Sequence, residues 1–122
     1  HFLEKSRELD YLKKYPLILP QTIKKADVCW FAFPITVIPW LVERRKLLRY
    51  LEKRGIETRP LFSGNILYHP AYRNLGFKYI EADYKGADYI TKNSFWISCH
   101  NSLTQKDLKY IVKTFDDYFK RN

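Results

Sequence analysis

Between residues 59 and 72 the sequence RPLFSGNILYHPAY gathers side chains that could hold a polar ligand. Arg59 offers a planar fork of donors suited to a phosphate or carboxylate. Gly64 permits a tight backbone path. Asn65 and His69 can make directional hydrogen bonds, and Ser63 adds a hydroxyl. Tyr68 and Tyr72 present flat faces to a sugar or a base. The same residues also suit an ordinary strand-to-helix loop, with Asn65 capping backbone and the tyrosines packing. Chemistry alone leaves both readings open.

Other chemistries find weaker support. Cys99, His69 and His100 are metal-ligand types, but their spacing fits no zinc pattern. Cys99 and His100 are adjacent on an expected strand, so they point to opposite faces and cannot pair as nucleophile and base. Ser63 stands in S-G-N rather than in a G-x-S-x-G elbow. The glycines at 55, 64, 76 and 86 are too far apart for a phosphate-binding fingerprint. The chain alone therefore reads as catalytically incomplete, with neither catalytic nor metal-ligating residues of its own.

The elements that must position the loop follow from pattern. Residues 1–14 read as the tail of a helix, ended by Pro16 and Pro20. VCWFAFPIT (28–36) reads as a buried strand, with Pro34 marking an edge or a strand end. Pro39 is expected to open a helix whose Trp40, Leu41, Leu47, Leu48 and Leu51 share one side and which stops at Gly55. IETRPLF (56–62) is a short strand leading into the loop. Residues 70–78 suggest a helical turn, and 83–92 a short helix weakened by Gly86. SFWISC (94–99) is a third strand. The last helix has Thr104 as N-cap, Asp107 three residues on, Leu103 and Leu108 at staple positions, and a stripe of Leu108, Ile111, Val112, Phe115 and Phe119. This order predicts an α+β fold, a small two-layer sandwich with about three strands and helices on one face.

A chain of 122 residues with 46% apolar content can bury one core. No run approaches the ~20 apolar residues of a membrane helix. A cytoplasmic protein is expected, with Cys29 and Cys99 as buried small hydrophobes. The formal charge of +9 is densest where Arg44, Arg45, Lys46, Arg49, Lys53, Arg54 and Arg59 outnumber Glu43, Glu52 and Glu57. One alternative is thus a basic stand-alone module for nucleic acid or an anionic polymer. The aromatics fall in the apolar stripes rather than among the basic residues, which favours the wet face of a helix and no nucleic-acid partner. The chain has no methionine and begins at His1 inside an amphipathic pattern, which predicts a piece of a longer protein.

Several segments, in order, resemble one known family. They are WFAFPI (30–35), RKLLRYLEKRGIETRP (45–60), SGNILYHPAY (63–72), ADYI (87–90) and SFWISCHNSLT (94–104). Together they resemble the C-terminal region of the pyridoxal-phosphate-dependent sugar aminotransferases of the DegT–StrS type. The R-P-x-x-x-G-N form of the loop (59–65) is similar to the 3-dehydratase branch, which acts on nucleotide-linked 4-keto-6-deoxyhexoses.

The resemblance implies the small C-terminal domain of a type I PLP enzyme spanning 1–122, with 1–15 as the end of an interdomain helix. PLP or PMP would be bound by an upstream large domain, where the Schiff-base lysine or its histidine replacement also lies. No cofactor-binding residue is implied in this chain. What remains is one wall of the substrate cleft. Arg59 would hold an anionic oxygen, Asn65 a sugar hydroxyl, and His69 or Tyr72 the sugar or nucleotide. Ser63, Gly64 and His100 are secondary candidates, His100 being better suited to packing or capping the last helix. Implied partners are the nucleotide sugar, the chain's own large domain and a second subunit, without a membrane.

Overall fold

The computed structural model describes residues 9–26, 28–72, 75–76 and 84–121. Among these, four strands form one antiparallel sheet in the order β1-β2-β4-β3. They are β1 (Leu17–Ile18), β2 (Ala32–Val37), β3 (Thr58–Pro60) and β4 (Ser94–Ser98). Three α-helices accompany them: α1 (Arg44–Glu52), α2 (Lys85–Asn93) and α3 (Gln105–Arg121). The α+β sandwich is the expected one, with one strand more than the three expected. β1 has two residues flanked by Pro16 and Pro20, too short to show a period.

The sheet turns a period-two apolar face toward α1 and α3. Phe33, Ile35 and Val37 of β2 are buried while Ala32, Pro34 and Thr36 are only partly so. In register, Phe33 stands opposite Ile97 and Ile35 opposite Phe95. Leu47 and Leu51 of α1 and Leu108, Ile111, Phe115 and Tyr118 of α3 complete one cluster with these strands. The segment just before β1 is tied to the last helix. Tyr15 stacks on Phe119 at 4.4 Å between centroids, and its hydroxyl donates to Asp116.

Several boundaries differ from expectation. β2 starts at Ala32, so residues 28–31 precede the strand. Pro34 sits mid-strand, but β1 pairs only with Thr36 and Val37, which leaves the flank of Pro34 open on that side. Pro39 does not open α1. The amides of Leu41 and Val42 both donate to the Ile38 carbonyl, forming a turn, and extended Glu43 resets the frame before the helix. Trp40 and Leu41 therefore leave the expected stripe and stand 76% and 64% exposed. The stop at Gly55 holds: its φ is 76°, and the Ile56 amide returns to the Leu51 carbonyl at 3.1 Å.

Cys29 is exposed rather than buried, whereas Cys99 packs against the core. Burial pushes the Cys99 thiol up to about 12, so it carries almost no thiolate near neutral pH. Of the helix expected over 1–14, residues 1–8 lie outside the described residues; Leu9 and Asp10 are helical, followed by a 3-10 turn, Tyr11–Lys14. Of the turn expected over 70–78, Pro70–Tyr72 is a 3-10 turn, and 73–74 and 77–78 lie outside the described residues. No described helix is long and apolar enough to cross a membrane.

Candidate functional site

The loop leaves β3 at Pro60, which pairs with Phe95 near the start of β4. Its first bend is tight. Phe62 has φ 43° and Gly64 φ 65°, both left-handed, and the Gly64 amide donates to the Leu61 carbonyl at 3.0 Å. A non-glycine residue in that region is uncommon. Phe62 is exposed there and lies against Phe31, with ring centroids 5.9 Å apart. Two 3-10 turns follow, Ile66–Tyr68 and Pro70–Tyr72.

Asn65 is the pivot. It is 4% exposed, and its amide group is engaged on both sides. Its Oδ1 accepts from the Leu67 amide at 3.1 Å, capping the first 3-10 turn. Its Nδ2 donates to Asp88 Oδ1 at 2.7 Å, and its backbone amide donates to Thr91 Oγ1 at 2.7 Å. The side chain is thus turned toward α2, in the backbone-capping arrangement left open by the sequence. The Asn65 amide first, then the Tyr68 hydroxyl and the charge of Lys92, hold the Asp88 carboxyl below the usual carboxylate range.

The other expected residues are placed differently. Arg59 is exposed on β3, and its Nη2 and Nε reach Glu57 Oε1 at 2.5 and 2.8 Å. An anion arriving at Arg59 would compete with that exposed pair, which holds weakly in water. Ser63, His69 and Tyr72 are exposed. His100 is not brought to this loop. It follows the far end of β4, where Nδ1 accepts from the Ser102 amide at 3.2 Å and lies 2.6 Å from Ser102 Oγ. That turn precedes α3, and His100 is exposed in it.

Sequence reasoning missed Glu57, Asp88 and Thr91. Asp88 and Thr91 stand three residues apart, the spacing that puts two side chains on one helix face. That was the available signal; their partner, 23 residues from Asp88, was not legible.

The basic cluster is partly committed to the fold. Arg44 Nη1 donates to the Ser94 and Thr91 carbonyls at 2.7 and 3.3 Å, closing the end of α2. Burial, then the neighbouring Arg45, lowers its pKa. Arg54 lies 3.4 Å over the Tyr50 ring and donates to the Tyr50 carbonyl. Among the described residues no three His, Cys, Asp or Glu side chains gather as a metal site would require.

Comparison with known proteins adds the family. The model of the DegT/DnrJ/EryC1/StrS aminotransferase family matches residues 6–116. The lipopolysaccharide biosynthesis protein RfbH of Salmonella typhimurium is 35% identical over 107 residues, 87% of this chain and 24% of that protein. The dTDP-4-dehydro-2,6-dideoxy-D-glucose 3-dehydratase of Saccharopolyspora spinosa is 31% identical over 107 residues, 87% of this chain and 23% of that protein. The chain thus spans about a quarter of the length of these relatives. In fold it is similar to the GDP-4-keto-6-deoxy-D-mannose-3-dehydratase of E coli, solved with bound hydrated PLP. The TM-score is 0.77 at 23% identity, over 93% of this chain and 29% of that one.

Such a cofactor needs an enclosed cradle for its ring and phosphate. Every lysine among the described residues is exposed. No chemical step is assigned to the cofactor within this chain.

Proposed function

Because the chain belongs to the DegT/DnrJ/EryC1/StrS aminotransferase family, we propose that it is the C-terminal, substrate-facing domain of a PLP-dependent nucleotide-sugar enzyme. The reaction proposed is 3-dehydration of a nucleotide-linked 4-keto-6-deoxyhexose, on the way to a deoxysugar of a surface polysaccharide. The observation that carries it is the family match over 6–116, which takes in the whole R-P-x-x-x-G-N loop. The 3-dehydratase among the relatives supports the branch, and RfbH supports the destination. The quarter-length coverage supports a further domain as cofactor carrier in the complete protein, for which a homodimer is proposed as the working unit.

Within the domain, Arg59 would exchange Glu57 for an anionic oxygen of the nucleotide. His69 and Tyr72 would meet the sugar or nucleotide. Asn65 contributes by holding the loop in place, its amide being turned inward. The test is steady-state kinetics of the complete enzyme with PLP and a nucleotide-linked 4-keto-6-deoxyhexose. Arg59→Ala should raise KM about tenfold or more, the scale of a lost hydrogen bond to a charged group. Unchanged KM and kcat in both Arg59→Ala and His69→Ala would remove the loop from the cleft. Borohydride reduction decides the branch: bound cofactor with no lysine adduct is expected, and an adduct would make the enzyme an aminotransferase.

A further inference from the structure

The grip of α2 on the loop is more specific than a fold contact requires. We infer that Asp88 and Thr91 are positioning residues that clamp the Gly64–Asn65 corner, so that Arg59, His69 and Tyr72 on either side of it keep one placement toward substrate. This rests on the proposal that the loop faces substrate.

Three observations carry it. First, the approach is closer than any side chain allows: a Cβ on Gly64 would stand 2.5 Å from Thr91 Cγ2 and 2.9 Å from Thr91 Oγ1. Second, the bonds have fixed direction. Thr91 Oγ1 donates its one proton to the Ala87 carbonyl at 2.6 Å, which leaves its lone pairs to accept the Asn65 amide. Asp88 accepts from Nδ2 of Asn65, whose Oδ1 caps the Ile66–Tyr68 turn, so the carboxylate holds that turn by its first residue's cap. Third, the clamp is anchored where the loop begins. α2 runs without a break into β4, and Phe95 of β4 pairs with Pro60 at the root of the loop. Arg44 fixes the same junction through the Thr91 and Ser94 carbonyls. The loop is therefore held at its root and at its corner by one continuous segment, 85–98. No residue of α2 is fully buried, so releasing the clamp should loosen the loop and spare the core.

The experiment uses the complete, PLP-loaded enzyme with Asp88→Ala and Thr91→Val, beside Asp88→Asn and Thr91→Ser, which retain an acceptor oxygen. Two quantities are read: hydrogen exchange of the peptide covering 61–69, and KM and kcat for the nucleotide-linked 4-keto-6-deoxyhexose. The first pair should exchange about tenfold faster in that peptide and raise KM about tenfold with kcat little changed. The conservative pair should restore both; at Thr91 this separates the hydrogen bond from space filling, because Val keeps the volume without the oxygen and Ser keeps the oxygen without the methyl. Unchanged exchange in Asp88→Ala and Thr91→Val would overturn the clamp. Raised KM in Arg59→Ala with unchanged KM in the clamp variants would also overturn it, while leaving the loop's substrate role standing. Unchanged KM in Arg59→Ala, His69→Ala and the clamp variants alike would remove that role and this inference with it. Should Asp88→Ala fail to fold, the exchange and KM of Thr91→Val decide in the same way.

Discussion

Helix α3 and the 59–72 loop are both fixed by an aspartate that accepts hydrogen bonds, and they differ in where the partner lies. In α3, Asp107 Oδ2 accepts from the Thr104 amide and hydroxyl at 2.7 Å, and the Asp107 amide returns to Thr104 Oγ1 at 3.2 Å. Donor and acceptor are three residues apart. In the loop, Asp88 reaches Asn65 across 23 residues. The helix also drives Leu108, Ile111 and Phe115 into the core, whereas the described part of the loop buries Asn65 and otherwise leaves its polar candidates in water. A local device with core behind it makes a stable element. A long-range device with little core behind it fixes a geometry, as a binding surface needs.

The largest expected break of that contrast is in the core. Phe115 is fully buried, and Phe115→Ala should cost about 3–5 kcal/mol in equilibrium denaturation, enough to threaten the whole domain. Next is Gly64→Ala, which meets Thr91 and keeps a left-handed φ. Overpacking of about 1–3 kcal/mol adds to a backbone cost of about 1–2 kcal/mol. A double-mutant cycle with Thr91→Ala should recover the steric share and leave the backbone share. If Gly64→Ala proves neutral, the close approach is wrong.

Thr104→Ala should cost about 1 kcal/mol, as removal of an N-cap does, and should be read as faster exchange in the first turn of α3. Acidification is the mildest perturbation and acts on both regions. The Thr104 hydroxyl, then its amide, depresses the Asp107 pKa, and Asn65 and then Tyr68 depress that of Asp88. A folded pKa below the unfolded value means the stabilisation is complete above the unfolded value, about 3.9 for Asp. It is lost as pH falls through the folded one. Exchange should therefore rise below about pH 4, first in 61–69 and later in 105–110, where core packing persists.

Legibility in the sequence follows the same division. β2, β4 and α3 were readable because their periods of two and 3.6 are carried by neighbours in the chain. The Gly55 stop and the Thr104 cap were readable for the same reason. β1 is not legible because two residues carry no period, and the start of α1 is obscured because a turn at Ile38 imitates a helix start. In the loop, the residue types announced a polar corner at Gly64–Asn65. The inward turn of Asn65, the pairing of Arg59 with Glu57 and the part played by Asp88 and Thr91 depend on tertiary placement. No spacing within 59–72 could announce them.

The central claim, that this loop is the substrate-facing wall, is tested most directly by hydrogen exchange of the complete PLP-loaded enzyme with and without a nucleotide-linked 4-keto-6-deoxyhexose. Within this chain the account predicts protection confined to 59–72 and adjoining α2, with 105–121 unchanged. Protection elsewhere in the enzyme with no change in 59–72 would contradict it.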